Sequence, residues 1–337
     1  MGLKKIGNDV MKGALSLTLG GAILYWMYRD FDFNRVGQVM LHEMDWTWML
    51  LSLPFGVLAQ AFRGWRWCQT LEPVGERPRR SVSLNSVFLS YAVSLVIPRI
   101  GEIARCGVLR RYDGVSFPKA LGTVVTERAI DSLFIAIVAL VTFVCEFRIF
   151  DIFFARTGTR LDTALSQFST TGWLVTALCG IVAVGFCYYL IRQLSIYNKV
   201  KDTFQGIWQG ITSLRKVKNI PLFIFYTLAI WSCYFLHYYL TFFCFDATAS
   251  LGMDCVLVTF IVGSIAVIVP TPNGAGPWHF AVMSMLILYG VADTDALYFV
   301  LIVHSVQTLL VVLLGVYAWI ALSFTRIRQA VQPESQI

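Results

Sequence analysis

Charged side chains interrupt one of the most apolar stretches of this sequence. The run Val87–Ile97 is followed by a proline and then by Arg99, Glu102 and Arg105. An ionised group is costly to place in hydrocarbon, so such charges mark either a transport pathway or an internal ion pair. The fork of an arginine fits the oxygens of a phosphate. The sequence therefore predicts an anion site or a structural ion-pair network at this break, and both interpretations stay open.

Further charges stand close to apolar stretches on either side of the break. Arg63 and Arg66 fit either a site or ordinary anchoring at the cytoplasmic membrane surface. Arg128 and Asp131 are three residues apart, so they share a helix face and can pair. The whole set is Arg63, Arg66, Arg99, Arg105 and Arg128 against Glu102, Glu127 and Asp131. Because positive charges are in excess, an anionic ligand could neutralise the set.

A second apolar run, Val256–Val269, ends in a segment rich in proline and glycine. Gly274 and Gly276 permit a positive φ or a close backbone approach. Pro277 suits the first turn of a helix, whose free N–H groups attract anions. His279 would lie on that turn, either as a hydrogen-bonded packing residue or as a proton carrier. The candidate residues here are Pro270, Pro272, Asn273, Gly274, Gly276 and His279.

The composition places the chain in a membrane. It is 57% hydrophobic and 14% charged, whereas soluble domains average about 25% charged residues. Several apolar runs reach about 20 residues, the length that crosses a bilayer as a helix. The runs are continuous rather than alternating, which disfavours a β-barrel. We expect an all-α polytopic membrane protein that forms a single integral domain over residues 1–337.

The distribution of charge predicts about six spans and two hairpins. Cytoplasmic segments collect Lys and Arg, which accounts for the net charge of +7 without a nucleic-acid partner. Basic flanks on both sides of Ser81–Lys119 indicate a re-entrant hairpin from the cytoplasm, broken at Pro98–Gly101. A surface helix or a packed bend is the alternative. Acidic flanks around Asp246–Asp295 indicate a hairpin from the opposite face. The expected spans are Gly13–Tyr28, Trp46–Trp67, Leu121–Phe147, Gly172–Ile191, Pro221–Phe245 and Ala296–Phe324.

This arrangement predicts an inverted repeat in the inner membrane, with both termini in the cytoplasm. The second and third spans would flank the inner hairpin, and the last two spans would flank the outer one. The basic, partly amphipathic segment Tyr197–Lys218 would lie at the cytoplasmic interface or pack on the helix bundle. Inverted repeats usually place the substrate where the broken elements meet.

Motifs of common enzyme chemistry do not occur in the sequence. It contains no Walker A loop, no GxSxG elbow and no HExxH motif. The histidines His42, His237 and His304 have no metal-ligand spacing, and the eight cysteines form no CxxC pair. We therefore predict no catalytic residue, no metal and no cofactor.

The order and spacing of the charged motifs resemble those of a known family, the flippase-like transmembrane region of lysylphosphatidylglycerol synthase. That family includes stand-alone members without the aminoacyl-transferase domain, and the resemblance covers about Trp46 to Phe324. The sequence departs from the family pattern at Asn273, where Gly is frequent, and at His279, where an acidic residue is frequent. The motifs are Arg63-x-x-Arg66-Trp67, Pro98-Arg99-x-Gly101-Glu102-x-x-Arg105, Glu127-Arg128-x-x-Asp131 and Val269-Pro270-Thr271-Pro272-x-Gly274-x-Gly276.

The resemblance implies movement of a lipid between leaflets by alternating access. The lipid would be an anionic or aminoacylated phospholipid or a polyprenyl-phosphate carrier. Arg99 and Arg105 would hold its phosphate with help from Arg63 and Arg66, and the break at Pro270–Gly276 would gate the outer side. The acidic residues that would tune this hold are Glu102, Glu127 and Asp131.

Two other functions stay open at this point. One is transport of a small soluble anion, for which a closed aqueous vestibule is expected. The other is a non-catalytic partner of a lipid-modifying or glycan-assembly enzyme, for which a fully paired cluster without a cavity is expected. A homo-oligomer is compatible with all of these functions.

Overall fold

The computed structural model describes residues 18, 20–29, 31–156, 217–269 and 271–328. Regular structure in these ranges is helical, apart from an isolated antiparallel bridge between Met44 and Phe245. The expected span Gly172–Ile191 and nearly all of Tyr197–Lys218 lie outside the described residues. The all-α prediction is confirmed for the part of the chain that the structure describes.

The longer helices are numbered here in chain order. They are α1 Trp46–Leu71, α2 Arg80–Ser94, α3 Ile100–Asp113, α4 Phe117–Cys145, α5 Phe147–Arg156, α6 Ile220–Tyr239, α7 Met253–Ala266, α8 Pro277–Leu288 and α9 Asp293–Ser323. Residues 20–28 are also helical. Shorter helical turns cover Phe33–Gln38, Val39–Glu43, Glu72–Val74, Leu240–Cys244, Asp246–Ala249 and Pro272–Gly274.

Within the described ranges, three helices are long and apolar enough to cross a membrane. They are α4, α6 extended to Cys244, and α9, with 29, 25 and 31 residues. Helix α1 has 26 residues, although Arg63 and Arg66 interrupt its apolar sequence. Helix α4 begins at Phe117, four residues before the predicted Leu121, because a proline is tolerated in the first turn of a helix. The chain is a polytopic helical membrane protein.

Two helical hairpins occupy the positions of the two broken segments. The first hairpin pairs α2 with α3 across residues 95–99, and the second pairs α7 with α8 across residues 267–276. Arg99 has a left-handed backbone with φ of 65° and lies at the start of α3. At Gly101, an added Cβ would collide with the main-chain oxygen of Ser90. Glycine at this position therefore allows α3 to cross α2 at close range.

Helix α9 packs its N-terminal half against the second hairpin. At the base of this hairpin, Phe299 shares an apolar core with Val256 and Leu286. At its tip, Asn273 Nδ2 donates a hydrogen bond of 2.8 Å to Thr308 Oγ1. The second hairpin therefore runs along α9 from its N-terminal end towards its middle.

The C-terminal half of α9 packs against the first hairpin. Leu322 shares an apolar core with Val82 and Leu109 at the base of that hairpin. Near the hairpin tip, Gly315 packs directly against Ala92. The two hairpins therefore approach from opposite ends of α9, and the opposed arrangement predicted from charge is confirmed. Contact of the first hairpin with α9, a span of the other half, was not expected from the sequence.

Helices α1 and α6 form the central antiparallel pair. Near the end of α1, Arg66 Nη1 donates to Thr227 Oγ1 at 3.2 Å. Near its start, the carbonyl of Ser52 lies 2.9 Å from His237 Nδ1. The end of α1 thus contacts the start of α6, and the start of α1 contacts the end of α6, so the two helices are antiparallel. The equivalent helices of the two halves thus run in opposite directions, as the inverted repeat requires.

Candidate functional site

An ion-pair cluster joins α1, α3 and α4. Asp131 accepts hydrogen bonds from Arg63 Nη1 and, at 2.8 Å, from Arg66 Nη2. Glu127 accepts one of 2.9 Å from Arg105 Nη2 and lies 3.4 Å from Arg66 Nε. All five residues are buried. The network interpretation of the charged motifs therefore describes this inner part of the cluster.

Helical spacing explains how the cluster assembles. Glu127 and Asp131 are four residues apart on α4, and Arg63 and Arg66 are three apart on α1, so each pair occupies one helix face. Two faces of opposite charge then meet. Arg105 adds the first hairpin to this contact.

The guanidinium of Arg105 also lies over an aromatic ring. It stands 4.4 Å from the ring centre of Trp67, and such a cation–π contact is strongest when it is removed from water. Trp67 Nε1 in turn donates to Thr123 Oγ1 at 2.9 Å. Arg105 thereby anchors the first hairpin to α1 and, through Glu127, to α4.

A more exposed ion pair completes the charged region. Arg128 Nε lies 2.8 Å from Glu102 Oε1, and the two side chains are 39% and 36% exposed. Arg128 Nη1 lies 3.9 Å from Asp131. Arg99, by contrast, is exposed and donates a hydrogen bond of 2.9 Å to the main-chain carbonyl of Ile268. Within the ion-pair network that the sequence left open at this break, Glu102 pairs with Arg128 rather than with Arg99.

A cavity of about 620 Å³ lies between the cluster and the second hairpin. Its charged end is formed by Arg63, Arg128 and Asp131. Most of its other lining groups are apolar or aromatic. They include Tyr91, Ile135, Ala136, Ala139, Trp231, Tyr234, Tyr238, Phe260, Ile265, Val267, Ile268 and Trp278.

The apolar wall of the cavity continues onto the outer surface. Ile265 and Ile268 line the cavity and are themselves 45% and 64% exposed. On α4, Leu133 and Leu140 are exposed and lie three residues before and four residues after the lining residue Ala136, so they share its helix face. Exposed aliphatic side chains on helices long enough to span a bilayer are typical of a lipid-facing surface. The cavity therefore combines a cationic end with a wall that is continuous with this surface.

Several residues that line the cavity carry a buried polar atom without a hydrogen-bond partner among the described residues. These atoms are Arg63 Nε, Trp231 Nε1 and Gln307 Nε2. Buried polar groups are nearly always hydrogen-bonded in folded proteins. All three atoms are N–H donors, so the unpartnered hydrogen-bonding capacity of these lining residues is donor capacity.

The second break contributes to the cavity wall only through Val267 and Ile268, which precede its proline- and glycine-rich part. Pro272, Asn273 and Gly274 form a single helical turn, with φ of 51° at Asn273. Among the described residues, the predicted candidates of this break do not line the cavity. Pro270, another predicted candidate, lies outside the described residues.

Two histidines pack against this second break. The carbonyl of Asn273 lies 3.1 Å from His304 Nε2. Gly276 N–H donates to His279 Nδ1 at 3.4 Å, and the two histidine rings are 4.4 Å apart. His279 is buried. These contacts fit the packing interpretation of His279, and its proton-carrier role stays a prediction.

The aromatic lining of the cavity was missed in the sequence. On α6, Trp231, Tyr234 and Tyr238 recur at intervals of three and four residues, which places them on one helix face. This spacing is the signal that could have identified them. In an aromatic-rich span the same spacing is equally compatible with plain packing. Among the described residues, no group of three potential metal ligands comes together.

One family model matches most of the chain. The family described as Lysylphosphatidylglycerol synthase TM region matches residues 13–315. No curated protein and no solved structure matches the chain. The chain belongs to the family of lysylphosphatidylglycerol synthase transmembrane regions.

Proposed function

We propose that this member of the lysylphosphatidylglycerol synthase transmembrane family moves a phosphate-bearing lipid between the two leaflets of the inner membrane. The observation that carries the proposal is the cavity of about 620 Å³, which has a cationic end and an apolar wall. A phospholipid has a matching division into a charged headgroup and apolar acyl chains. Its phosphate would meet Arg63 and Arg128 while its acyl chains follow the exposed apolar surface.

The arginines divide into two roles under this proposal. Arg63 and Arg128 line the cavity and contact the phosphate. Arg66 and Arg105 are enclosed with Glu127, so they act as positioning residues that hold α1, α3 and α4 together. The family resemblance implied that Arg105 binds the phosphate. We assign this role to Arg128, because Arg128 lines the cavity and Arg105 does not.

The hairpins provide the moving parts. Their tips meet at the bond between Arg99 and the carbonyl of Ile268, and Ile268 also lines the cavity. Alternating access requires that a central site open to one face at a time. We propose that separation of the tips opens the cavity to one leaflet.

The charge at the two hairpin bases supports an orientation. Arg79 and Arg80 lie at the base of the first hairpin, and Lys119 lies in the first turn of α4. Asp254 and Asp293 lie at the base of the second. Because Lys and Arg accumulate on the cytoplasmic side, the first base faces the cytoplasm and the chain termini lie there as well.

Reconstitution into vesicles tests the proposal. Purified protein is placed in phosphatidylcholine vesicles that contain phosphatidylglycerol with a fluorescent acyl chain, and an impermeant reductant then bleaches the outer leaflet. We expect bleaching to pass beyond the outer half as the protein delivers inner-leaflet lipid. Loss of a charge-assisted contact weakens binding by about tenfold or more, so Arg128→Gln should slow this phase comparably.

The matched control is Arg110→Gln, which alters an exposed arginine on α3 outside the cavity. This variant should behave like the unaltered protein. A second measurement follows efflux of entrapped phosphate from the same vesicles. Phosphate efflux without movement of labelled lipid would replace lipid transport with transport of a soluble anion. Absence of both would contradict the proposal.

A further inference from the structure

The carboxylate in the cavity wall is fully engaged by arginines. Asp131 is the one residue with a carboxylate among the described residues that line the cavity. Its Oδ2 accepts from Arg63 and its Oδ1 from Arg66. A headgroup that carries an ammonium, such as a lysyl ester, needs an acceptor of negative charge. Such a headgroup would have to compete with two guanidinium groups for the same oxygens.

The other nearby carboxylates give no better partner. Glu127 is buried behind the wall between Arg66 and Arg105. Glu102 is held by Arg128 at 2.8 Å and does not line the cavity. An ammonium at the charged end of the cavity would therefore face guanidinium groups of like charge.

The unpartnered atoms of the lining residues are donors, so they require a ligand with hydrogen-bond acceptors rather than an ammonium. Trp231 Nε1, Gln307 Nε2 and Arg63 Nε are buried N–H donors without partners among the described residues. Donors of this kind are satisfied by phosphate and hydroxyl oxygens, whereas an ammonium supplies only further N–H donors. The hydrogen-bonding capacity and the charge of the cavity thus favour the same ligands.

We infer that the cavity selects lipids with a net negative, acceptor-rich headgroup, such as phosphatidylglycerol, and discriminates against aminoacylated lipids. The inference rests on the proposed lipid transport and names its substrate class. Under this inference, the lysyl-phosphatidylglycerol after which the family is named is not the preferred lipid of this chain. Selection arises because Asp131, Glu127 and Glu102, the carboxylates discussed above, already have arginine partners.

Vesicles with matched labelled lipids test the selectivity. Phosphatidylglycerol and lysyl-phosphatidylglycerol with the same fluorescent acyl chain are compared in separate preparations. We expect phosphatidylglycerol to move at least about tenfold faster, the effect of one charge-assisted contact. Equal or faster movement of the lysyl lipid would overturn the selectivity and leave lipid transport intact. If neither lipid moves, the proposed function itself fails.

Two separate glutamine substitutions test the role of the donors without altering any residue of the ion pairs. Gln307→Leu removes one of the three unpartnered donors of the lining residues. Gln69→Leu is the control, because Gln69 also has an unpartnered buried atom but does not line the cavity. Phosphatidylglycerol retained by the purified protein is measured by native mass spectrometry. Loss of one neutral hydrogen bond should weaken retention by about two- to tenfold in Gln307→Leu only. Unchanged retention in Gln307→Leu, or an equal loss in both variants, would overturn the assignment of the donors to the headgroup.

Discussion

Arg99 donates a hydrogen bond of 2.9 Å to the main-chain carbonyl of Ile268, and this bond joins the tips of the two opposed hairpins. The partners are 169 residues apart in the chain. Arg99 has a left-handed backbone and lies where the chain turns from α2 into α3. Ile268 lines the cavity. The bond therefore connects the first hairpin directly to the cavity wall.

Removal of this bond should loosen the tips while the fold remains. In a background without other cysteines, Ser264→Cys reports access to the cavity that Ser264 lines. We expect Arg99→Ala to raise the rate at which an impermeant maleimide labels this cysteine. Because Arg99 is exposed, the free energy of unfolding should change by only about 0.5 kcal/mol. Arg110→Ala, another exposed arginine of the same hairpin, is the control. An unchanged labelling rate in Arg99→Ala would mean that other contacts hold the tips together.

The hairpins could be predicted from the sequence because their determinants are local. A proline, a glycine and charges end the first apolar run, and a proline-rich segment ends the second. The opposite charge of the two flanks then gave the opposed arrangement. These features act over ten to twenty residues, which is the range in which sequence patterns are informative.

The partners of the charged residues could not be predicted, because they depend on how distant helices pack. Glu102 is three residues from Arg99 in the sequence, yet its partner is Arg128. Arg105 looks like part of an anion site, but the packing of α3 encloses it with Glu127 and Trp67. Spacing along a helix restricts which residues share a face. It does not determine which other helix that face meets.

Arg105 should contribute strongly to stability. It is buried, pairs with Glu127 at 2.9 Å and lies over Trp67. Arg105→Ala removes one partner of a buried pair, which costs about 3 to 5 kcal/mol. We expect a large fall in the thermal unfolding temperature in detergent, partly restored when Glu127→Gln is added. Arg111→Ala on the exposed side of α3 serves as the control. An unfolding temperature for Arg105→Ala close to that of the control would remove Arg105 from the positioning role.

Two glycines of α3 should respond to alanine in opposite directions. A Cβ at Gly101 would collide with the main-chain oxygen of Ser90, so Gly101→Ala must push α3 away from α2. A Cβ at Gly107 would have nothing within 4 Å, and alanine is the better helix former by roughly 0.5 to 1 kcal/mol. We expect Gly101→Ala to lower the unfolding temperature and Gly107→Ala to leave it unchanged or raise it. Similar unfolding temperatures for the two variants would show that the hairpin tolerates a wider spacing of its helices.

Chemical labelling from each side of the membrane tests the orientation of the hairpins. Single cysteines replace Arg80 and Lys119 at the first base, and Asp254 and Asp293 at the second, in a background without other cysteines. The two bases lie at opposite ends of α9, so each pair should react with an impermeant reagent from one side only. The basic pair should react from the cytoplasm and the acidic pair from outside, because basic residues accumulate on the cytoplasmic side. Reaction of positions 80 and 119 from opposite sides would contradict a re-entrant first hairpin. Reaction of all four positions from the same side would contradict the inverted arrangement itself.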